Sequence, residues 1–186
     1  PPSSELFEGD DAGFGGAAAE NRPFGNWVKR NVVPHKVTGY AVVTLSLKKT
    51  GVPPGDATSD QMDAVADLAD AYSFGELRVS HEQNLIFAHV RQQELLALWS
   101  ELKALGFATP NIGLLTDIIC CPGGDFCSLA NAKSIPIAEA IHRRFDDLDY
   151  LHHIGDINLN ISGSMNTCGH HPVRHISVPG VAQTAA

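Results

Sequence analysis

Hydrophobic order along the chain begins near Trp27. Residues 1–24 carry GGAAAE and scattered Gly, Pro, Asp and Ser with no periodic apolar face, and read as a linker or disordered segment. Residues 40–47 (YAVVTLSL) are rich in β-branched side chains and read as a strand, followed by the turn-forming GVPPGD. Thr58 with Gln61 three positions on fits a capping box. Met62, Val65, Leu68, Ala69 and Tyr72 then recur at helical spacing, which predicts an amphipathic helix over 59–73. Residues 76–80 and 84–90 are short strand candidates, and the polar SHEQ between them predicts a hairpin. Leu95, Leu98, Trp99, Leu102 and Leu105 mark a second helix, closed by Gly106 at a C′ position. Strand, helix, strand, strand, helix over 38–106 is most of a ferredoxin-like α+β sandwich, which a further strand would complete.

The second half begins near Thr109. The apolar run 114–119 has strand character and leads into CCPGGDFCSLANAKS. From Cys127 to about Arg144 the chain is compatible with a helix that Pro136 kinks or breaks. Residues 157–161 (INLNI) alternate and read as a strand. Gly163, Gly169, Pro172 and Pro179 break up the C-terminal stretch.

Composition narrows the function classes. Of 186 residues, 44% are hydrophobic and 18% charged, so a buried core is expected. A net charge of −8 argues against a nucleic-acid partner. Lys29, Arg30, Lys36, Lys48 and Lys49 are either a local docking patch for another redox protein or a solvated strand end and linker. No apolar run approaches the roughly 20 residues that span a bilayer. Residues 1–20 lack a basic n-region and an apolar h-region, so the expected setting is cytoplasmic, without a membrane partner.

Cys120, Cys121 and Cys127 crowd together, and Cys168 lies far downstream. A tight cluster plus one distant cysteine favours metal or cofactor ligation over a disulfide framework. In Cys121-Pro-Gly-Gly-Asp-Phe-Cys127 the two thiols sit in a Gly-Pro loop able to wrap one corner of an iron–sulfur core. SGSMNTCG, after the strand at 157–161, is placed to supply a second ligand loop. A structural zinc module from Cys121, Cys127, Cys168 and a histidine such as His170 is the competing reading, although the spacing is unlike the usual C-x2-C pairs.

These loops resemble those of the siroheme- and [4Fe-4S]-containing nitrite/sulfite reductases, whose pattern is Cys-x5-Cys followed by Ser-Gly-Cys-x-Asn-x-Cys. Cys121 and Cys127 match the first pair, and Ser162, Gly163, Asn166 and Cys168 match the second loop. NWVKRNVVPHKVTGY and LRVSHEQNLIF resemble the family's ferredoxin-like half-domain. The resemblance implies an α+β chain with a ferredoxin-like half-domain at 25–108, an incomplete α/β iron–sulfur/siroheme-binding domain at 109–176, and a tail at 177–186. It implies a [4Fe-4S] cluster held by Cys121, Cys127, Cys168 and the position of Ser164. Cys168 would also be the proximal ligand of siroheme. Asn166, Arg78 and Gln83 are implied cofactor contacts. The implied reaction is the six-electron reduction of sulfite or nitrite. The implied partners are the missing N-terminal half of the enzyme and an electron donor, either a ferredoxin or an NADPH flavoprotein.

The sequence departs from that pattern in three ways. Ser164 stands at the third cysteine position, and a serine oxygen is a hard, weakly acidic ligand poorly suited to a cluster. Cys120 is an extra thiol, either a replacement ligand or a packed, inert group. The chain is also shorter than the family enzyme and shows no Arg/Lys cluster for holding siroheme carboxylates. A truncated or degenerate non-catalytic paralogue acting as a binding protein is therefore the second reading. His170, His171 and His175 are expected around the cluster loop without ligating iron, and His152 and His153 at the surface. Arg78, Gln83 and Asn84 are either siroheme-side contacts or a polar hairpin satisfying its own backbone.

Overall fold

The computed structural model describes residues 20–181; the expected linker at 1–24 lies mostly outside the described residues, as does the end of the tail at 177–186. The chain divides into two compact units. One comprises the chain through Leu47 together with Ala57–Ile112, and the other comprises Lys48–Asp56 with the chain from Gly113 onward.

The first unit is a four-stranded antiparallel sheet covered by helices. Helix α1 (Arg22–Asn31) opens inside the expected linker: Asn21 Oδ1 accepts the Phe24 amide at 3.2 Å, and Pro23 occupies the first turn, where its missing N–H is harmless. Its buried residues Phe24, Trp27, Val28 and Asn31 fall at helical spacing, which is why the segment docks rather than trails. Strands β1 (Val32–Pro34) and β2 (Tyr40–Leu45) precede helix α2 (Ser59–Tyr72), and β3 (Leu77–Val79) and β4 (Leu85–Arg91) precede helix α3 (Leu95–Leu105). Around Thr58 both halves of the expected capping box form, and Gly106 closes α3 at φ 85°.

The sheet order is β1-β2-β4-β3. The expected fourth strand of the ferredoxin-like sandwich thus precedes the motif instead of succeeding it, because Val32–Pro34 takes the β2 edge in antiparallel register. After α3 the chain meets the segment following β2 through a backbone bond from Ser46 N–H to the Phe107 carbonyl at 3.0 Å. Phe87, Leu98, Leu102, Val43, Leu45 and Trp27 fill the core between sheet and helices.

The second unit is an α/β element. Strands β5 (Ile119–Cys120), β6 (Leu159–Ser162) and β7 (Ile176–Pro179) pair in parallel, in that order, and helices α4 (Ile135–Arg144) and α5 (Leu148–Ile154) lie in the crossover between β5 and β6. Three expectations are corrected here. The apolar run 114–119 forms strand only at Ile119–Cys120. Residues 127–134 are turns, and Pro136 lies in the first turn of α4, where it starts the helix and kinks nothing. The expected tail begins with strand β7, which covers Ser177–Pro179.

Lys48, expected in an exposed basic patch or solvated linker, is fully buried and pairs with Asp117 at 3.4 Å; Asp117 also accepts the Gly113 amide at 3.1 Å. This pair, with a Thr50–Asp146 hydrogen bond of 2.6 Å, explains why the turn 48–56 groups with the second unit. Nearby, His142 is buried, and its Nε2–H donates to the Thr116 carbonyl at 2.9 Å while Nδ1 has no hydrogen-bond partner. Burial pushes this imidazole below its ordinary 6.5.

Leu98→Ala, at a position with no solvent exposure, should cost about 3 kcal/mol, seen as a lower urea midpoint for the first unit. For His142, the unfolded chain takes a proton near pH 6.5 that the folded chain resists. The stability it contributes is complete above that pH and declines as pH falls below it. The urea midpoint of the second unit should drop between about pH 7.5 and about pH 5.5, and His142→Gln should flatten the slope.

Candidate cofactor loops

Parallel pairing places the two cysteine loops at one edge of the second unit's sheet. Ile119 faces Asn160 and Cys120 faces Ile161, so both strands run out at the same end, where ligand sites of parallel sheets commonly form. The Cys121 amide extends the pairing to the Ile161 carbonyl at 3.0 Å. Beyond it, Pro122 leads into a single 3-10 turn, Gly123–Asp125, and on to Cys127. The other loop runs from Gly163 through Ser164 and Asn166 to Cys168.

The glycines do the joining. The Gly163 amide donates to Cys121 Sγ at 3.0 Å. Its carbonyl accepts the amides of Asn131 and Ala132 at 2.7 and 3.0 Å. A Cβ on Gly163 would lie 2.7 Å from Gly123 Cα, and a Cβ on Gly180 would lie 2.5 Å from the Gly163 oxygen. Gly123, at φ 62°, has Ser134 Oγ against its own missing Cβ. Ser134 Oγ in turn donates to the Cys121 carbonyl at 2.5 Å.

The four cysteines differ in setting. Cys120 is buried in the second core, its Sγ donates to the Cys121 carbonyl at 3.3 Å, and burial pushes its thiol up to about 11. Such a thiol is packed and protonated at neutral pH. Cys121 is half-buried, whereas Cys127 and Cys168 are exposed. Asn166 is exposed, with its amide donating to Ser164 Oγ at 3.2 Å. Thr167, just before Cys168, holds φ 58°, a left-handed conformation unfavourable for a β-branched residue. Lys133 pairs with Asp125 inside the first loop at 2.8 Å, and His175 Nδ1 accepts the Asn158 amide at 3.2 Å.

Iron–sulfur ligation needs three or four soft donors around one space. Cys121 suits that role, since an amide N–H already points at its sulfur. The backbones of the loops meet, yet among the described residues no three His, Cys, Asp or Glu side chains are grouped to hold a metal ion. As folded here, the donor set does not close around a cluster.

Arg78 and Gln83 belong to the first unit. Arg78 is exposed on β3 and ion-paired with Glu76. Gln83 turns the hairpin at φ 57°, its amide donating to the Ser80 carbonyl, while Ser80 Oγ accepts the amides of Glu82 and Asn84. Reading the sequence missed His35, Glu76 and His89, which connect to Arg78; a histidine inside the apolar strand LIFAHV was the available signal. Among the described residues no helix is long and apolar enough to cross a membrane.

Residues 47–105 match the family described as the nitrite/sulfite reductase ferredoxin-like half domain. The chain is 30% identical over 173 residues to the chloroplastic ferredoxin–nitrite reductase of Betula pendula, covering 88% of this chain and 28% of that protein. To the chloroplastic ferredoxin–nitrite reductase of Arabidopsis thaliana it is 32% identical over 163 residues, covering 83% and 26%. The chain thus spans little more than a quarter of the length of these curated relatives. Among solved structures, the NirA protein of Mycobacterium tuberculosis superposes with a TM-score of 0.59 at 24% identity, covering 76% of this chain and 26% of that one, a likeness of fold. A matching half-domain, relatives of one kind and a shared fold agree: this chain belongs to the nitrite/sulfite reductase family.

Proposed function

We propose that this chain is part of a siroheme- and [4Fe-4S]-containing reductase that carries out the six-electron reduction of nitrite or sulfite, contributing the cluster-ligating loops. The meeting of the Cys121 and Gly163 loops at one sheet edge carries this reading. In it, Cys121, Cys127 and Cys168 are the cluster thiolates, Ser164 stands at the fourth position, and Cys168 is also the proximal siroheme ligand. Asn166, Arg78 and Gln83 are cofactor contacts. The cluster and siroheme would supply the electron transfer and the anion-binding iron. This chain's own contribution is to hold the loops together through glycine contacts and to present an amide hydrogen bond to the Cys121 sulfur, which stabilises a thiolate.

The names of the two plant relatives favour nitrite as substrate and a ferredoxin as donor. The remaining, N-terminal half of the reductase is the proposed protein partner, since the matched region is a minor part of each relative. The cytoplasm is the proposed setting.

Ser164 and the ungrouped thiols favour a second reading, a degenerate paralogue that binds a partner without catalysis. One substitution separates the two. Under anaerobic reconstitution with iron and sulfide, Ser164→Cys should raise bound iron and visible sulfur-to-iron charge-transfer absorption severalfold, and adding Cys168→Ser should abolish the gain. If neither the parent chain nor Ser164→Cys retains iron, the cluster assignment is lost and the degenerate reading stands.

A further inference from the structure

The first unit contains a hydrogen-bonded line of side chains that ends on Arg78. It begins with a bulge. Ala41 pairs with Val90 and Val43 with Phe87, so two steps on β2 meet three on β4. Phe87 and Val90, three positions apart, both enter the core beneath the helices, while His89 between them stays out of it. In an unbroken strand His89 would share the face of Phe87 and would have to be buried in hydrocarbon.

The direction of the line is set by one backbone group. The Val37 amide donates to His35 Nδ1 at 2.9 Å, so in a neutral ring the proton sits on Nε2. His35 Nε2 lies 3.2 Å from His89 Nδ1. Donation there leaves the His89 proton on Nε2, which is 3.2 Å from Glu76 Oε2. The other carboxylate oxygen, Oε1, receives both Nε and Nη2 of Arg78. The line runs from a half-exposed His35 through His89, 8% exposed, to a guanidinium at the surface.

We propose that His35 and His89 are positioning residues for Arg78, holding the Glu76 carboxylate so that it grips the guanidinium and releasing it when the His89 ring gains a proton. The relevance to catalysis rests on the proposed function, in which Arg78 contacts the cofactor; the action on Arg78 does not. A proton added to His89 Nδ1 would face the His35 Nε2–H and set donor against donor. Burial already pushes His89 below its ordinary 6.5, in keeping with a neutral ring. Among the described residues, the titratable and charged groups brought to the line are Glu76 and Arg78 at β3, with Tyr40 of β2, whose ring centre is 6.0 Å from that of His35.

The test uses the 15N-labelled full chain. Long-range proton–nitrogen NMR spectra should show both rings as Nε2–H tautomers at about pH 7.5, with an Arg78 Nε–H signal in slow exchange that is lost as pH drops below about 6.5. His89→Leu should speed Arg78 Nε–H exchange about tenfold or more at every pH. His89→Gln keeps a donor and an acceptor on a side chain that does not titrate; it should preserve the signal and remove its pH dependence. Amide dispersion reports folding, and if His89→Leu does not fold, His35→Leu at the half-exposed end takes the same measurement. An Nδ1–H tautomer at His89, or Arg78 exchange indifferent to both pH and the leucine variant, overturns the proposal. Normal coupling in a chain that never takes up iron would sink the cofactor reading and leave this one intact. Iron uptake with an uncoupled Arg78 would do the reverse.

Discussion

Two loops separated by a pair of helices can serve one site only if their backbones can touch, and between Gly123 and Gly163 there is no room for even a methyl group. That approach depends on parallel pairing of β5 with β6, which brings both loops to the same end of the sheet. It also depends on the Gly163 carbonyl, which takes the amides of Asn131 and Ala132 and so holds the segment after Cys127 in turns. The sulfur of Cys121 enters the same set of contacts as an acceptor. The glycines of these loops therefore act first to bring one loop against the other.

The two units place polar groups differently. The second buries them with partners: Lys48 with Asp117, and a neutral His142 whose Nε2–H reaches the Thr116 carbonyl. A buried charge is tolerated only when it is paired and hydrogen-bonded, and a buried imidazole only when it stays neutral. The first unit instead keeps His89 out of the hydrocarbon by bulging a strand. That one extra residue on β4 separates an apolar face that packs from a polar line that ends at the surface. The cysteines show a related contrast. Cys120 sits in the core with its thiol raised, next to a Cys121 that accepts an amide bond from the opposite loop.

Family membership constrains what such features can mean. The matched half-domain spans 47–105, the part in which the capped helix, the hairpin and the glycine-terminated helix lie. Ser164 and the four cysteines fall outside that stretch, in the second unit.

Features that depend on neighbours in sequence were legible from sequence alone. The Thr58–Gln61 box, the 3.6-residue period of α2 and α3, the hairpin at Ser80 and the left-handed Gly106 each involve residues a few positions apart. The paired cysteine motifs were legible for the same reason, because a loop's chemistry is written within it. What required the tertiary structure involves distant partners: Val32–Pro34 taking the sheet edge, residues 127–134 losing their helix to the Gly163 carbonyl, Lys48 leaving the surface for Asp117, and His89 meeting His35 and Glu76. Periodicity reports which face of a segment is apolar; it carries no information about which remote group will satisfy a buried polar atom. That choice is made only when the chain closes on itself.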